Sequence, residues 1–416
     1  MFDFLLTEEQ LKLRDEVREL VKWVPRQMIL DMDKDKIKFP KEFLQEAGRR
    51  NLLGCRYPRE WGGRGMDWVT TAMVMEEVGT LGYIFACTFG VGAELVCDAI
   101  VQHGTDAQKE KYVKPLLAGE IFAAECLTEP RGGSDFFGTT TMAEDKGDHF
   151  VLNGQKRFIV GAEGADYFLV YARTDHDPKT HPHKALTCFI VDRGPGVNVE
   201  YLYGLMGCRG GGAGRIVFKD AVVPKENIVG QLNGAYAVFN TMMIPERLGT
   251  AAMTIGAARP ALDIATRYTS RRKAFGQVIN QFQGVSFQVA EAAMLLDAAR
   301  SLVYATCRAV DGGVNTNRVR RMVSETKKFV TESCQKVARN AMQVMGGIGY
   351  TNVFPVERIN RDLGLASIWT GTSEVMAMIT AHEWYREYHQ AQSQCSGRDH
   401  ELDAAEATAA EEKIYE

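Results

Sequence analysis

The chain has 416 residues, a formal net charge of −4, 45% hydrophobic and 25% charged residues, a profile that fits a globular protein of two or three domains. With no basic surplus it lacks the electrostatic footprint of a nucleic-acid reader and any polybasic patch for a membrane surface, which leaves small molecules and other proteins as partners. The opening MFDFLLTEEQLKLRDEV has no basic n-region or small-residue cleavage site, and no uncharged run is long enough to span a bilayer, so no membrane insertion and a cytoplasmic location are expected.

From Thr7 the pattern T-x-x-Q gives a capping box with Gln10, followed by Leu11, Leu13, Val17, Leu20, Val21 and Val24 at helical spacing. Similar stretches, FPKEFLQEAGRRNLLG, VTTAMVMEEVGTLG and DAQKEKYVKPLLAGE, are separated by Gly and Pro, which predicts an all-helical domain over 1–118. The texture then changes. HFVLNGQKRFIV, ADYFLVYAR, ALTCFIVDR, VNVEYLYG and RIVFKDAVVP are short β-rich runs bounded by turn residues, predicting a mostly antiparallel β-domain over 119–230. Long helical periodicity returns over 231–388, in VSFQVAEAAMLLDAARSLVYATCRAV and VSETKKFVTESCQKVARNAMQVMGG, and points to a helical bundle wide enough to carry an oligomer interface. Residues 389–416 form a polar, acidic tail, and the whole is α+β rather than a doubly wound sheet.

The nine cysteines are scattered without a C-x-x-C pair and read as reduced thiols. HDPKTHPHK brings His176, His181 and His183 together, but the spacing fits no metal-ligand pattern and the intervening residues make a solvated hairpin tip, so no metal is expected. The glycine run YGLMGCRGGGAGRIVF leads into a strand instead of opening a helix, which argues against a dinucleotide phosphate loop and for a glycine-rich β-loop close to a flat ligand. In AAECLTEPRGGSDF, a small apolar stretch runs into Thr128, Glu129 and Gly132-Gly133-Ser134-Asp135, hydroxyls and bare amides suited to the polar edge of a planar cofactor.

LTEPRGGSD, LNGQKRFIVGA, RRKAFGQVINQFQ, AMQVMGGIGY and RDLGLASIWTGTSEV occur in the order and at the separations found in acyl-CoA dehydrogenases, and the chain resembles that family from its first helix to about residue 385. The resemblance implies an N-terminal helical domain, a middle β-domain and a C-terminal four-helix bundle, assembled as a homotetramer with one FAD per subunit. It assigns Thr128 and the Leu127 amide to the flavin ring edge and Phe158 to the ring face, with Val160 where the family usually presents a hydroxyl. Ser134 would touch CoA. Arg272, Phe275 and Gln283 match positions that hold the FAD of a neighbouring subunit, Gln343, Gly346 and Gly347 its adenosine and pyrophosphate, and Thr372 and Glu374 further cofactor contacts. Val91, with Glu94 and Cys97, falls on the helix that lines the pocket floor, and Ser134, Arg247 and Gly371 match substrate contacts. Electron-transfer flavoprotein is the implied electron acceptor.

The family's reaction, α,β-dehydrogenation of an acyl-CoA thioester, needs a base for a weakly acidic α-proton. Most members carry Glu where this chain has Thr370, which can supply only its backbone N–H to the thioester carbonyl. A minority, including isovaleryl-CoA and long-chain types, carries the base in an E-R motif on an earlier helix, and MMIPERLGTAA places Glu246 and Arg247 there. The bland alternative makes Glu246 a first-turn acid that follows Pro245 at a helix start. A base in this position favours a branched, cyclic or aryl-substituted acyl group; a dicarboxylic substrate would call on Arg131, Arg209 or Arg215. Crotonobetainyl-CoA reductases of the same family share the E-R motif, so an enoyl-CoA reductase is the second expectation, and a catalytically silent CoA-ester-binding subunit the third.

Overall fold

A computed structural model describes residues 3–391; the expected acidic tail from residue 392 onward lies outside the described residues. The Thr7–Gln10 capping box opens the helix Glu8–Trp23, with the Thr7 side chain accepting from the Gln10 amide and the Gln10 side chain accepting from the Thr7 amide. Further helices, among them Trp68–Gly79, complete the N-terminal part. Tyr83–His103 is apolar and long enough by composition to cross a membrane, but most of it is buried inside the protein, where it serves as a core helix.

The middle part is one sheet built from β1 (Ala123–Cys126), β2 (Met142–Asp145), β3 (His149–Ile159), β4 (Tyr167–Arg173), β5 (Leu186–Asp192), β6 (Val197–Leu202), β7 (Gly214–Pro224) and β8 (Ile228–Val229). The order is β6-β7-β3-β2-β4-β5-β8, with β1 beside β4. Most pairings are antiparallel as expected, but β1 runs parallel to β4, so the sheet is mixed. The strand YFLVYAR is buried on both faces. Tyr167, Leu169 and Tyr171 join the core shared with the helices, while Phe168, Val170 and Ala172 fill the β-domain's own core.

Four long helices, Ala235–Thr269, Gln283–Asp311, Thr316–Met345 and Ser373–Ala391, make up the C-terminal part, with the short helix Val356–Leu363 between the last two. Glu246 is not in a first turn. The first of these helices begins at Ala235, so Pro245 and Glu246 sit in its interior. Pro245 has no amide hydrogen for the Thr241 carbonyl, an interior cost that buried packing outweighs. This helix crosses Trp68–Gly79 at van der Waals contact: a Cβ on Gly256 would lie 2.1 Å from the Glu76 carbonyl oxygen. Glu76 also receives Arg300 at 2.8 Å and Arg259 at 2.9 Å, fastening the first part of the chain to the last.

The glycine run 207–214 serves packing rather than a flat ligand. Added Cβ atoms on Gly207, Gly210 and Gly211 would meet the Arg361 backbone, Met32 and the Ile84 side chain, each closer than 3 Å. Cys208 donates its amide to Asp362 at 2.7 Å, tying this loop to the strip that precedes Thr370.

Candidate active site

The segment after β1 is held from beneath by a buried ion pair. Lys156 on β3 is fully buried and bonds Glu129 Oε1 at 2.8 Å and the Leu127 carbonyl at 3.2 Å. Glu129 also accepts from the amide and hydroxyl of Thr140 and the amide of Thr141. Burial works to raise the Glu129 pKa, but Lys156 and these donors outweigh it and hold the carboxyl at about 2. The Arg157 amide donates to the Thr128 carbonyl at 2.8 Å. Leu127 and Thr128 are thereby fixed beside the end of β3, where Phe158 has φ 58° and is 51% exposed. Val160, next along, packs partly buried against the helical core. Ser134 is exposed on the Gly132–Asp135 turn, and Val91 opens the π-helical stretch Val91–Val96 that packs on β1.

A second group gathers around Glu246. Its side chain is only partly buried, yet Oε2 has no exposed surface and no hydrogen-bond partner among the described residues. Burial raises its pKa to about 7 against the pull of the Arg247 and Lys327 cations. Arg247 is buried and donates to Ser324 Oγ at 3.4 Å. A Cβ on Gly371 would come within 3.8 Å of Arg247 Nη2, and Lys327 donates to the Gly371 carbonyl at 2.8 Å. Burial and the neighbouring Arg247 charge lower the Lys327 pKa to about 8.

Thr370 and Gly371 are both left-handed, at φ 57° and 84°. For a β-branched residue that conformation is an outlier, costing roughly 1–2 kcal/mol. It is held by the ends of the strip. Trp369 donates to Tyr83 OH at 3.0 Å, Ser373 N to the Ser367 carbonyl at 3.0 Å, and Gln335 to Ser367 Oγ at 3.1 Å. Thr372 Oγ1 accepts from the Val375 amide at 3.2 Å, at the start of the last helix, where Glu374 is exposed. The oxygen of Thr370 is buried without a partner among the described residues.

The remaining expected residues stand apart. Arg272 and Phe275 lie at the exposed hairpin between the first two long helices, with Phe275 at φ 51° and 95% exposed, and Gln283 is the exposed first residue of the second helix. Gln343, Gly346 and Gly347 are exposed at the end of Thr316–Met345, with open space beside both glycines. Exposed aromatic rings and open glycines are what a planar cofactor and a pyrophosphate need, so these residues fit FAD. The three arginines considered for a dicarboxylate are engaged elsewhere or exposed. Arg209 donates to the Leu205 and Asp33 carbonyls, Arg215 pairs with Glu200 at the surface, and Arg131 is exposed. Glu94, on the floor helix, is taken up by Arg56, which also holds Asp98. An open groove of about 520 Å³ lined by Glu9, Lys12, Glu16, Arg59 and Arg64 lies on the N-terminal helices and shares no residue with the site.

Sequence reasoning missed Lys156, Lys327 and, on β1, a further acid. Glu125 on β1 was absorbed into an apolar stretch, although it is the only acid among the alternating small residues of AAEC. In parallel register it stands opposite Leu169, one strand position between Tyr167 and Tyr171, on the face that meets the helices. Tyr171 reaches Met242 Sδ at 3.6 Å, one helical turn before Glu246.

The acyl-CoA dehydrogenase N-terminal, middle and C-terminal domain families match residues 7–120, 124–221 and 233–384 in turn. The chain is 34% identical over 90% of its length to the CarC subunit of the caffeyl-CoA reductase–Etf complex of Acetobacterium woodii, covering 97% of it. It is also 34% identical to the 3-(aryl)acrylate reductase of Clostridium sporogenes over 90% of this chain and 98% of that one. The butyryl-CoA dehydrogenase of Megasphaera elsdenii superposes with a TM-score of 0.86 at 30% identity, over 92% of this chain and 99% of that structure. Three consecutive domains in matching order, with a site laid out to suit FAD, make this chain a member of the acyl-CoA dehydrogenase family, flavin-dependent oxidoreductases of the CH–CH bond of acyl-CoA thioesters.

Proposed function

We propose that the chain dehydrogenates a branched, cyclic or aryl-substituted acyl-CoA between Cα and Cβ, with Glu246 as the base. The observation that carries this reading is a buried carboxylate oxygen with no partner among the described residues, one residue from Arg247 and beside Lys327, in a chain whose residue 370 cannot accept a proton. The backbone N–H of Thr370 donates to the thioester carbonyl and spreads the charge that develops there when the α-proton leaves. Glu246 takes that proton. Its pKa of about 7 makes it a stronger base than an exposed carboxylate while leaving it substantially ionised at neutral pH. Bound FAD supplies the acceptor for the β-hydride. Leu127, Thr128, Phe158 and Val160 would hold its ring, Thr372 and Glu374 would flank it, and Arg272, Phe275, Gln283, Gln343, Gly346 and Gly347 would serve the FAD of an adjoining subunit in a homotetramer. Ser134, Val91, Arg247 and Gly371 would face the acyl-CoA.

Glu246→Gln should leave the protein yellow and lower the rate of anaerobic flavin bleaching by about 10²- to 10⁴-fold; near-normal bleaching removes Glu246 from this role. The reverse reaction, enoyl-CoA reduction, is favoured by one specific observation. With a pKa of about 7, Glu246 is as able to donate a proton to Cα as to take one, and two of the three relatives named above carry reductase names. The relative from Acetobacterium woodii works in an Etf complex, which supports electron-transfer flavoprotein as the redox partner here, in the cytoplasm. A colourless purified protein would instead identify a silent CoA-ester-binding subunit.

A further inference from the structure

Glu125 has no role in the reaction as described, yet its Oε1 is fully buried with no hydrogen-bond partner among the described residues. Its strand neighbours explain where it points. Ala124 and Cys126 enter the β-domain core, whereas Ala123 joins the core shared with the helices, so Glu125 faces the helical side with Ala123. There the long helix Ala235–Thr269 packs, pinned to β4 through Tyr171 and Met242. Two carboxyl groups thus look into one seam, Glu125 from the sheet and Glu246 from the helix, and each keeps a buried oxygen without a partner among the described residues. Burial and then the negative charge of Glu246 push the Glu125 pKa well above the usual carboxylate range, with Lys156 acting in the opposite sense. Lys156 donates to Glu129 and the Leu127 carbonyl and does not bond the buried Oε1 of Glu125.

A buried polar oxygen left unpaired is destabilising. It persists where a ligand completes it. Resting on the reading of Glu246 as the catalytic base, we propose that Glu125 is a specificity-determining residue that accepts a hydrogen bond from a donor on the acyl group itself, a hydroxyl or an ammonium, and turns away acyl groups that end in a carboxylate. A carboxylate on the acyl group would meet the acceptor oxygen of Glu125 in place of a donor and would add negative charge beside Glu246, whose charge already engages Arg247 and Lys327, while Arg209 and Arg215 are bonded elsewhere.

The test is anaerobic flavin bleaching by matched thioesters: 3-phenylpropanoyl-CoA against its 4-hydroxy and 4-aminomethyl analogues, and hexanoyl-CoA against 6-hydroxyhexanoyl-CoA and adipoyl-CoA. The wild-type protein should favour a donor-bearing member over its bare counterpart by at least about tenfold in rate over apparent Kd, and adipoyl-CoA should be the poorest of its series. Glu125→Leu should abolish that preference. Glu125→Gln, which still accepts a hydrogen bond but cannot ionise against a bound ammonium, should keep the hydroxyl preference and lose the ammonium preference; it serves as the arm if the leucine variant does not fold. Equal rates within both series in the wild type, or a preference that survives in Glu125→Leu, overturn the proposal. Glu246→Gln separates the two ideas: bleaching that persists in that variant sinks the base assignment, whereas loss of bleaching there beside wild-type indifference to the donor sinks only Glu125. Failure of all the thioesters to bleach the wild-type flavin overturns both.

Discussion

The Glu246 pKa predicts where the acid limb of the reaction must fall. Moving a carboxyl from 4.5 to about 7 corresponds to about 3.4 kcal/mol in favour of its protonated form. A base with a pKa of about 7 is about one-tenth ionised at pH 6 and about nine-tenths ionised at pH 8. The rate of flavin bleaching in a single anaerobic turnover, at saturating acyl-CoA, should therefore rise about tenfold between these pH values. Reduction of the corresponding enoyl-CoA needs the protonated form and should fall over the same interval. Binding substrate excludes more water, so the midpoint in the complex lies at or above that of the free protein. Lys327→Met removes a cation that favours ionised Glu246 and should move the limb to higher pH. A dehydrogenation rate that is flat from pH 6 to pH 8, or a midpoint near 4.5, would show that burial does not govern this carboxyl and would refute the reasoning.

Lys156→Met strands Glu129 in the protein interior and should destabilise the protein by about 3–5 kcal/mol, read as a lower thermal midpoint together with reduced flavin content; also replacing Glu129 with an apolar residue should recover part of the loss. Thr370→Gly relieves the left-handed strain at φ 57° and should stabilise the fold by about 1 kcal/mol, seen as a higher unfolding midpoint. Gly256→Ala forces a methyl against the Glu76 carbonyl and should cost about 1–3 kcal/mol by the same measurement. Phe275→Ala removes a ring that is 95% exposed in the isolated chain; it should change subunit stability by less than about 0.5 kcal/mol while releasing FAD on dilution sooner than the wild type.

The three-part architecture is legible because helical and strand periodicities do not mix in this chain, and the Thr7–Gln10 cap even sets the first helix start correctly. Periodicity fails where two contacts compete. Pro245 reads locally as a helix start, but tertiary packing carries the helix through it from Ala235. The glycines of 207–214 read as ligand space because a pattern cannot say what approaches a missing side chain; Arg361, Met32 and Ile84 approach it from segments far away in sequence. Glu125 was invisible for a related reason. Its importance comes from Glu246 on another element and from an absent partner, and neither property belongs to a four-residue window.

Thr370 marks a division of labour that the geometry makes understandable. A glutamate at that position would have to supply the carbonyl's donor from its backbone and the base from its side chain, so both depend on one strained residue. Here the strip keeps the backbone function, held left-handed by Trp369, Ser367 and the Lys327 contact to Gly371. The carboxyl sits instead on a packed helix, where Arg247 and Lys327 limit the rise of its pKa and Glu125 shares its seam. Adding a carboxylate back with Thr370→Glu puts a third acid into that seam, and like-charge repulsion should then raise the Glu246 pKa. The expected outcome is an acid limb displaced above that of the wild type when Glu246 remains the operating base. An unchanged limb in Thr370→Glu, with bleaching that survives Glu246→Gln in the same background, would mean that the strip position still reaches the α-carbon and that the two base positions are interchangeable on this scaffold.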